Sequence, residues 1–226
     1  MGQLLIPPLG SSGTYAEFVA VSARSTLTRI PSGMSPAVAA SAPTAGMTRL
    51  TIVDALAPLD DKTVLIVGAA GGVGSFATQF AANAGAHVIA NARVDNAARM
   101  SAYGAAETID HSAGALHELV ARTHPDGIDV LVDLANDADE FANLAGLVRT
   151  GGSALTTRYV ANADALAANG VSALNFQVPA SAELLERVAN AVVIDSIVPP
   201  PINRISRQQA QLSSLVRTTH FSTARP

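Results

Sequence analysis

The chain has 226 residues, 49% hydrophobic and 14% charged; that is the composition of an ordered globular protein, long enough for one core and part of a second domain. Its 14 basic and 18 acidic residues give a net charge of −4, and without a basic run the electrostatic footprint of a nucleic-acid binder is missing. No cysteine occurs, which removes disulfides, thiolate chemistry and every Cys-ligated metal site.

The opening ten residues hold a short apolar stretch with no basic start, cut by Pro7 and Pro8, and so make a poor signal peptide. No apolar run reaches membrane-spanning length. The expectation is a soluble, cytoplasmic protein with no membrane or nucleic-acid partner. Tyr15 to Val21 reads as a strand of a β-rich segment too small to fold alone. The single lysine, Lys62, sits between Asp61 and Thr63, so no Gly-Lys-Ser/Thr phosphate loop exists, and none of Tyr15, Tyr103 and Tyr159 has a lysine four residues on.

From Thr63 onward, short β-rich runs alternate with segments of helical period, which predicts strand-helix units and a doubly wound parallel α/β sheet. Thr63 to Val67 is the first strand. Val73, Phe76, Ala77, Phe80, Ala81 and Ala84 then trace one helix face, stopped by Gly85. His87 to Ala90 is a second strand, Ala97 to Tyr103 a helix ended by Gly104, and Glu107 to Asp110 a third strand. Leu116, Leu119 and Val120 mark another helix, and Pro125-Asp-Gly127 turns into a strand at Ile128 to Asp133. Phe141, Leu144, Ala145 and Val148 share a helical face, Gly151-Gly152 turns into Ser153 to Thr156, and a sixth strand follows near Ser172 to Phe176. A last amphipathic helix spans about Leu184 to Val192, before Pro199-Pro200-Pro201 forbids helix.

The turn after the first strand reads Gly68-Ala-Ala-Gly71-Gly72-Val73-Gly74. Glycines between a buried strand and a helix let backbone amides and the helix dipole approach a pyrophosphate, and the strand-before, helix-after context is the one that dinucleotide binding requires. An acid at the end of the second strand would hold a ribose 2′-hydroxyl and repel a 2′-phosphate. Here the strand ends Asn91-Ala-Arg93, with no acid before Asp95, and a guanidinium is suited to a phosphate. NADP(H) is favoured over NAD(H).

Gly13-Thr-Tyr15-Ala-Glu17-Phe-Val19, Pro43-Thr-Ala45-Gly46-Met-Thr48, the run from Lys62 to Gly74, Tyr103 to Asp110 and Asp126 to Asp133 together resemble the zinc-independent medium-chain dehydrogenase/reductases of the quinone oxidoreductase, zeta-crystallin-like, family. The resemblance covers residues 13 to about 195. It implies a GroES-like β-rich catalytic domain joined to a Rossmann domain, and hydride transfer from NADPH to a quinone or activated C=C bond. It places Thr48 near the nicotinamide, Gly71, Gly72, Val73 and Gly74 on the pyrophosphate, and Asn91, Arg93 and His111 around the 2′-phosphate. Leu134, Ala135, Asn136, Leu155 and Thr156 would lie along the cofactor, with Phe176 and Val178 near its nicotinamide end.

The family is further into its catalytic domain where this chain starts, so the resemblance implies an N-terminally shortened member. The division it implies is a catalytic-domain remnant over 1–32, an NADP-binding Rossmann domain over 33–180, and a C-terminal helix and tail over 181–226. A homodimer is expected from the family. His87, His111, His117, His124 and His220 show no ligand spacing, and no metal is expected. No catalytic residue is assigned, since positioning over a nicotinamide and a proton from solvent or a hydroxyl suffice for this chemistry. Two alternatives stand beside a zinc-free NADPH:quinone or enone oxidoreductase: a non-catalytic NADP(H)-binding module, and an NADPH enoyl reductase.

Overall fold

A run such as Thr63–Val67, apolar at nearly every position, suits a strand covered on both faces. The computed structural model of the chain describes residues 3–5, 25–178, 181–194, 197–199, 201 and 209, and in it this run is one of two central strands of a parallel sheet. The elements in chain order are β1 (Gln3–Leu5), β2 (Leu27–Arg29), α1 (Pro36–Ser41), α2 (Pro43–Leu56), β3 (Thr63–Val67), α3 (Gly72–Asn83), β4 (His87–Asn91), α4 (Val94–Ala102), β5 (Glu107–Ile109), a 3-10 turn (His111–Ala113), α5 (Leu116–Thr123), β6 (Ile128–Asp133), α6 (Ala138–Ala145), β7 (Val148–Thr156), α7 (Ala163–Ala167), β8 (Ser172–Asn175) and α8 (Ala182–Ile194). The sheet order is β5-β4-β3-β6-β7-β8, every pair parallel. That is the doubly wound dinucleotide-binding order, with its reversal between β3 and β6.

Two-residue alternation divides the core. Val64 and Ile66 pack with Ala77, Ala81 and Met100 of α3 and α4, while Leu65 and Val67 pack with Leu116, Val120, Phe141 and Leu144 of α5 and α6. Phe76, Phe141, Leu65 and Ile66 are fully buried, each worth roughly 1.5–3 kcal/mol relative to exposure. A third cluster joins Met34, Ala39, Met47 and Leu50 of the α1–α2 region to Leu184, Leu185 and Val188 of α8. β1 and β2 form a separate antiparallel pair.

The six expected strands are present, with three departures nearby. α1 and α2 occupy a stretch where no helix was expected; Ser35 caps α1 by accepting from the Val38 amide, with Pro36 in its first turn. α4 begins at Val94 rather than Ala97, because the Asp110 carboxylate takes its first amide. Val148 belongs to β7 and not to α6, which ends at Ala145, and β7 runs through both glycines instead of starting after them. The register between β6 and β7 shifts there, from Ile128 facing Val148 to Val130 facing Ser153. A Cβ at Gly152 would lie 2.4 Å from the Asp129 carbonyl oxygen, so only glycine lets the bulged strand close. The strand expected at Tyr15 to Val21, the tail from 202 except 209, and His220 lie outside the described residues.

Candidate functional site

The carboxyl ends of β3, β4 and β6 open onto a cleft of ≈ 480 Å³ at the point where the strand order reverses, the usual ligand position in such sheets. Six of the residues singled out from the sequence line it: Gly71, Asn91, Arg93, His111, Ala135 and Asn136.

The floor of the cleft is the glycine turn. Gly68 takes φ +75°, the Gly71 amide donates to the Gly68 carbonyl at 3.0 Å, and Gly71 precedes α3 as its cap, with no side-chain hydrogen bond. The first-turn amides of Gly72, Val73 and Gly74 are therefore free to meet an anion. A Cβ at Gly74 would sit 2.2 Å from the Gly68 oxygen and 2.6 Å from Ala69 Cα, so this glycine brings helix and turn together. Arg99 braces the turn from α4, donating to the Ala70 carbonyl at 3.1 Å and to Ser75 Oγ at 3.0 Å. Arg99 was missed from the sequence, since nothing in its spacing tells a bracing arginine from a solvated one.

At the β4 side, Asn91 Nδ2 donates to the Ile109 carbonyl and to His111 Nδ1, both at 3.1 Å. An amide NH₂ only donates, so His111 Nδ1 accepts, and the neutral ring carries its proton on Nε2. Arg93 is exposed and makes no ion pair among the described residues. Asp110 accepts from the amides of Ser112 and Val94 at 2.8 Å each. The Ser112 backbone and side chain, then Val94 and the nearby His111, hold its carboxyl down at about 2 against an ordinary 3.8.

On the β6 side, the fully buried Asp133 accepts from the amides of Ala135 and Asn136 at 3.0 Å and from Asn136 Nδ2 at 2.9 Å. It fixes the turn that lines the cleft. Its signal in the sequence was an acid closing the run Val130-Leu-Val, read there only as a strand end. Asn96 and Glu140 line the cleft as well and were not foreseen.

The other predicted residues do not line this cleft. Gly72, Val73 and Gly74 form the first turn of α3. Leu134 and Phe176 pack on the α3-side core with Leu155. Thr156 is fully buried, its Oγ1 accepting from the Arg158 amide. Val178 packs on the α1–α2–α8 cluster. Thr48 is nearly buried in α2, and its hydroxyl donates to the Thr44 carbonyl at 2.8 Å. Among the histidines, sequence spacing gave no ligand set, yet the fold brings His87 and His124 to Glu107 at the opposite edge of the sheet. No helix among the described residues is long and apolar enough to cross a membrane.

Residues 72–174 match the family model described as zinc-binding dehydrogenase. The human NAD(P)H oxidoreductase RTN4IP1, mitochondrial, is 32% identical over 140 residues, covering 60% of this chain and 34% of that protein. The chain thus spans about a third of that relative's length. The quinone oxidoreductase from Coxiella burnetii has the same fold, with a TM-score of 0.73 at 24% identity over 86% of this chain and 61% of that one. A Sinorhizobium meliloti protein described as a zinc-binding dehydrogenase and solved with NADP bound gives 0.68 at 26% identity, over 82% and 56%. The cytoplasmic expectation is overturned by these relatives: the human protein and its mouse and cattle counterparts are all named mitochondrial. A chain without cysteine suits any reducing compartment, so composition did not single out the cytoplasm.

Proposed function

We propose that this chain, a medium-chain dehydrogenase/reductase of the quinone oxidoreductase-like kind, takes NADP(H) in the cleft at the ends of β3, β4 and β6, and passes hydride without zinc to a quinone or an activated C=C or carbonyl acceptor. One observation carries the choice of NADP(H): the exposed Arg93 guanidinium, without an ion pair among the described residues, shares the cleft with Asn91 and His111, and no carboxylate closes β4.

The free amides of the α3 first turn would hold the pyrophosphate, since Gly71 presents no side chain in their way. Arg93 and His111 would hold the 2′-phosphate through charge-assisted hydrogen bonds. The turn anchored by Asp133 would keep Leu134, Ala135 and Asn136 along the cofactor, with Thr48, Leu155, Thr156, Phe176 and Val178 toward its nicotinamide end. The bound dinucleotide supplies the hydride, and the protein's part is orientation and exclusion of water. In the same reading, residues 33–180 form the cofactor domain, 1–32 belong to the catalytic domain, 181–226 return to it, and two copies pair.

The Thr48 proton is already committed to the Thr44 carbonyl, which favours a second reading, a module that binds NADP(H) without turnover. Titration with NADPH and NADH, followed by addition of a small quinone or enone to the NADPH-loaded sample, separates the two. Oxidation of NADPH supports the oxidoreductase; tight binding with no oxidation supports the module. Arg93→Ala is expected to weaken NADPH roughly 10- to 150-fold, the loss of one charged hydrogen-bonding partner, and to leave NADH nearly unchanged. An equal loss for both dinucleotides removes the 2′-phosphate role.

A further inference from the structure

We propose that His87, Glu107 and His124 form a binding site for a divalent transition metal of the Zn²⁺ class, at the edge of the sheet opposite the cofactor cleft. His87 opens β4, Glu107 opens β5, and His124 follows the last residue of α5. Asn91 ends β4 at the cleft, so about 13 Å of strand separates the two places.

The three donor atoms lie within 4.8 Å of one another. Ligands about 2.0–2.1 Å from a tetrahedral zinc stand about 3.3 Å apart. His124 Nε2 is 3.3 Å from Glu107 Oε1, already at that spacing. His87 Nε2 is 2.5 Å from the same oxygen, and with its side chain 46% exposed the ring is free to move outward and open the gap. The backbone beneath is fixed: the His87 amide donates to the Lys62 carbonyl, the His124 amide to the Val120 carbonyl, and the Gly127 amide to the His124 carbonyl.

The second ring nitrogen of His124 provides an independent observation. Thr123 Oγ1 lies 2.9 Å from His124 Nδ1 and within reach of two carbonyls that can take its proton, Val120 at 3.2 Å and Leu119 at 3.4 Å. With that proton on a carbonyl the hydroxyl accepts from the ring, the arrangement that puts the imidazole proton on Nδ1 and turns the Nε2 lone pair to the Glu107 carboxylate. In that arrangement a proton or a metal ion must lie between Nε2 and the carboxylate, and an outer hydrogen bond of this kind orients metal-binding histidines. Two neutral imidazoles and one carboxylate suit zinc or its neighbours. Glu107, 36% exposed, and His87 leave the fourth position to water.

Isothermal titration of the full chain with Zn²⁺ alone, in a non-coordinating buffer, tests this. One equivalent is expected to bind, more weakly at acid pH because imidazoles must lose their protons to bind. Binding should be lost in Glu107→Gln and His124→Gln. The half-exposed His87→Gln serves if a more buried change unfolds the protein, and a cooperative thermal transition verifies each variant. Thr123→Val should weaken binding roughly 10-fold and Thr123→Ser should restore it, as for an orienting outer partner. Absence of saturable binding, or one equivalent that survives His87→Gln and His124→Gln together, overturns the site.

Discussion

At the scale of single residues, the two neighbouring glycines Gly72 and Gly74 differ sharply in what they tolerate. A Cβ on Gly72 meets only Ala45, at 3.7 Å, so Gly72→Ala should leave urea stability within about 0.5 kcal/mol of the parent. A Cβ on Gly74 meets three backbone atoms closer than any real contact. Gly74→Ala should cost about 1–3 kcal/mol or more by forcing helix and turn apart, and should abolish dinucleotide binding with it. Equal urea midpoints for the two variants would show that the α3 start yields easily. The glycine pattern in the sequence marked both positions alike; only the approach of α3 to the Gly68 carbonyl separates a packing glycine from a tolerant one.

Among elements, the junction of β5 and α4 is held by one carboxylate. Asp110 caps the 3-10 turn through Ser112 and starts α4 through Val94. Its carboxyl sits at about 2, below an ordinary 3.8, so its contribution is complete above pH 4 and is lost as pH falls toward 2. Amide exchange at Val94 should quicken across that window, and Asp110→Asn should show the faster rate already at neutral pH. An unchanged Val94 rate in the variant would deny the tie. The strands were legible because β3, β4 and β6 are apolar runs bounded by turn residues. α2 was not: Leu50 and Met47 face α8 while Ile52 and Leu56 face the α3-side core, so a helix buried on several sides shows no single stripe. Val148 fell on the helical face of α6 by spacing alone, and the bulge at Gly152 that makes it a strand residue depends on the distant Asp129 carbonyl. Of the cleft lining, the glycine turn and Arg93 could be read from local pattern, whereas Asn91 and His111 entered through the family resemblance. Arg99, Asn96 and Glu140 could not, because the fold brings them in from helices.

For the whole molecule, α3 is tied to a segment 119 positions further along the chain. Gln79, buried in α3, donates to the Val198 carbonyl at 2.8 Å and accepts from the Val198 amide at 2.9 Å, and the Tyr103 hydroxyl donates to the Pro199 carbonyl at 3.3 Å. Gln79→Ala removes both bonds to Val198 and should cost about 1–3 kcal/mol, with exchange protection at Val198 lost before that of the sheet. Protection that persists would mean apolar contact at Ile197 suffices. Gln79 lies seven positions past Gly72, two helical turns from the amides that face the cleft. One stiff rod thus carries a hold at each end, and equilibrium makes such holds mutual. Whatever factor an anion at the amino end adds to the grip on Val198, the grip on Val198 must return to the anion. A chain cut before Ile197 would then report a dinucleotide affinity lower by that same factor, and the two numbers, measured separately, would have to agree.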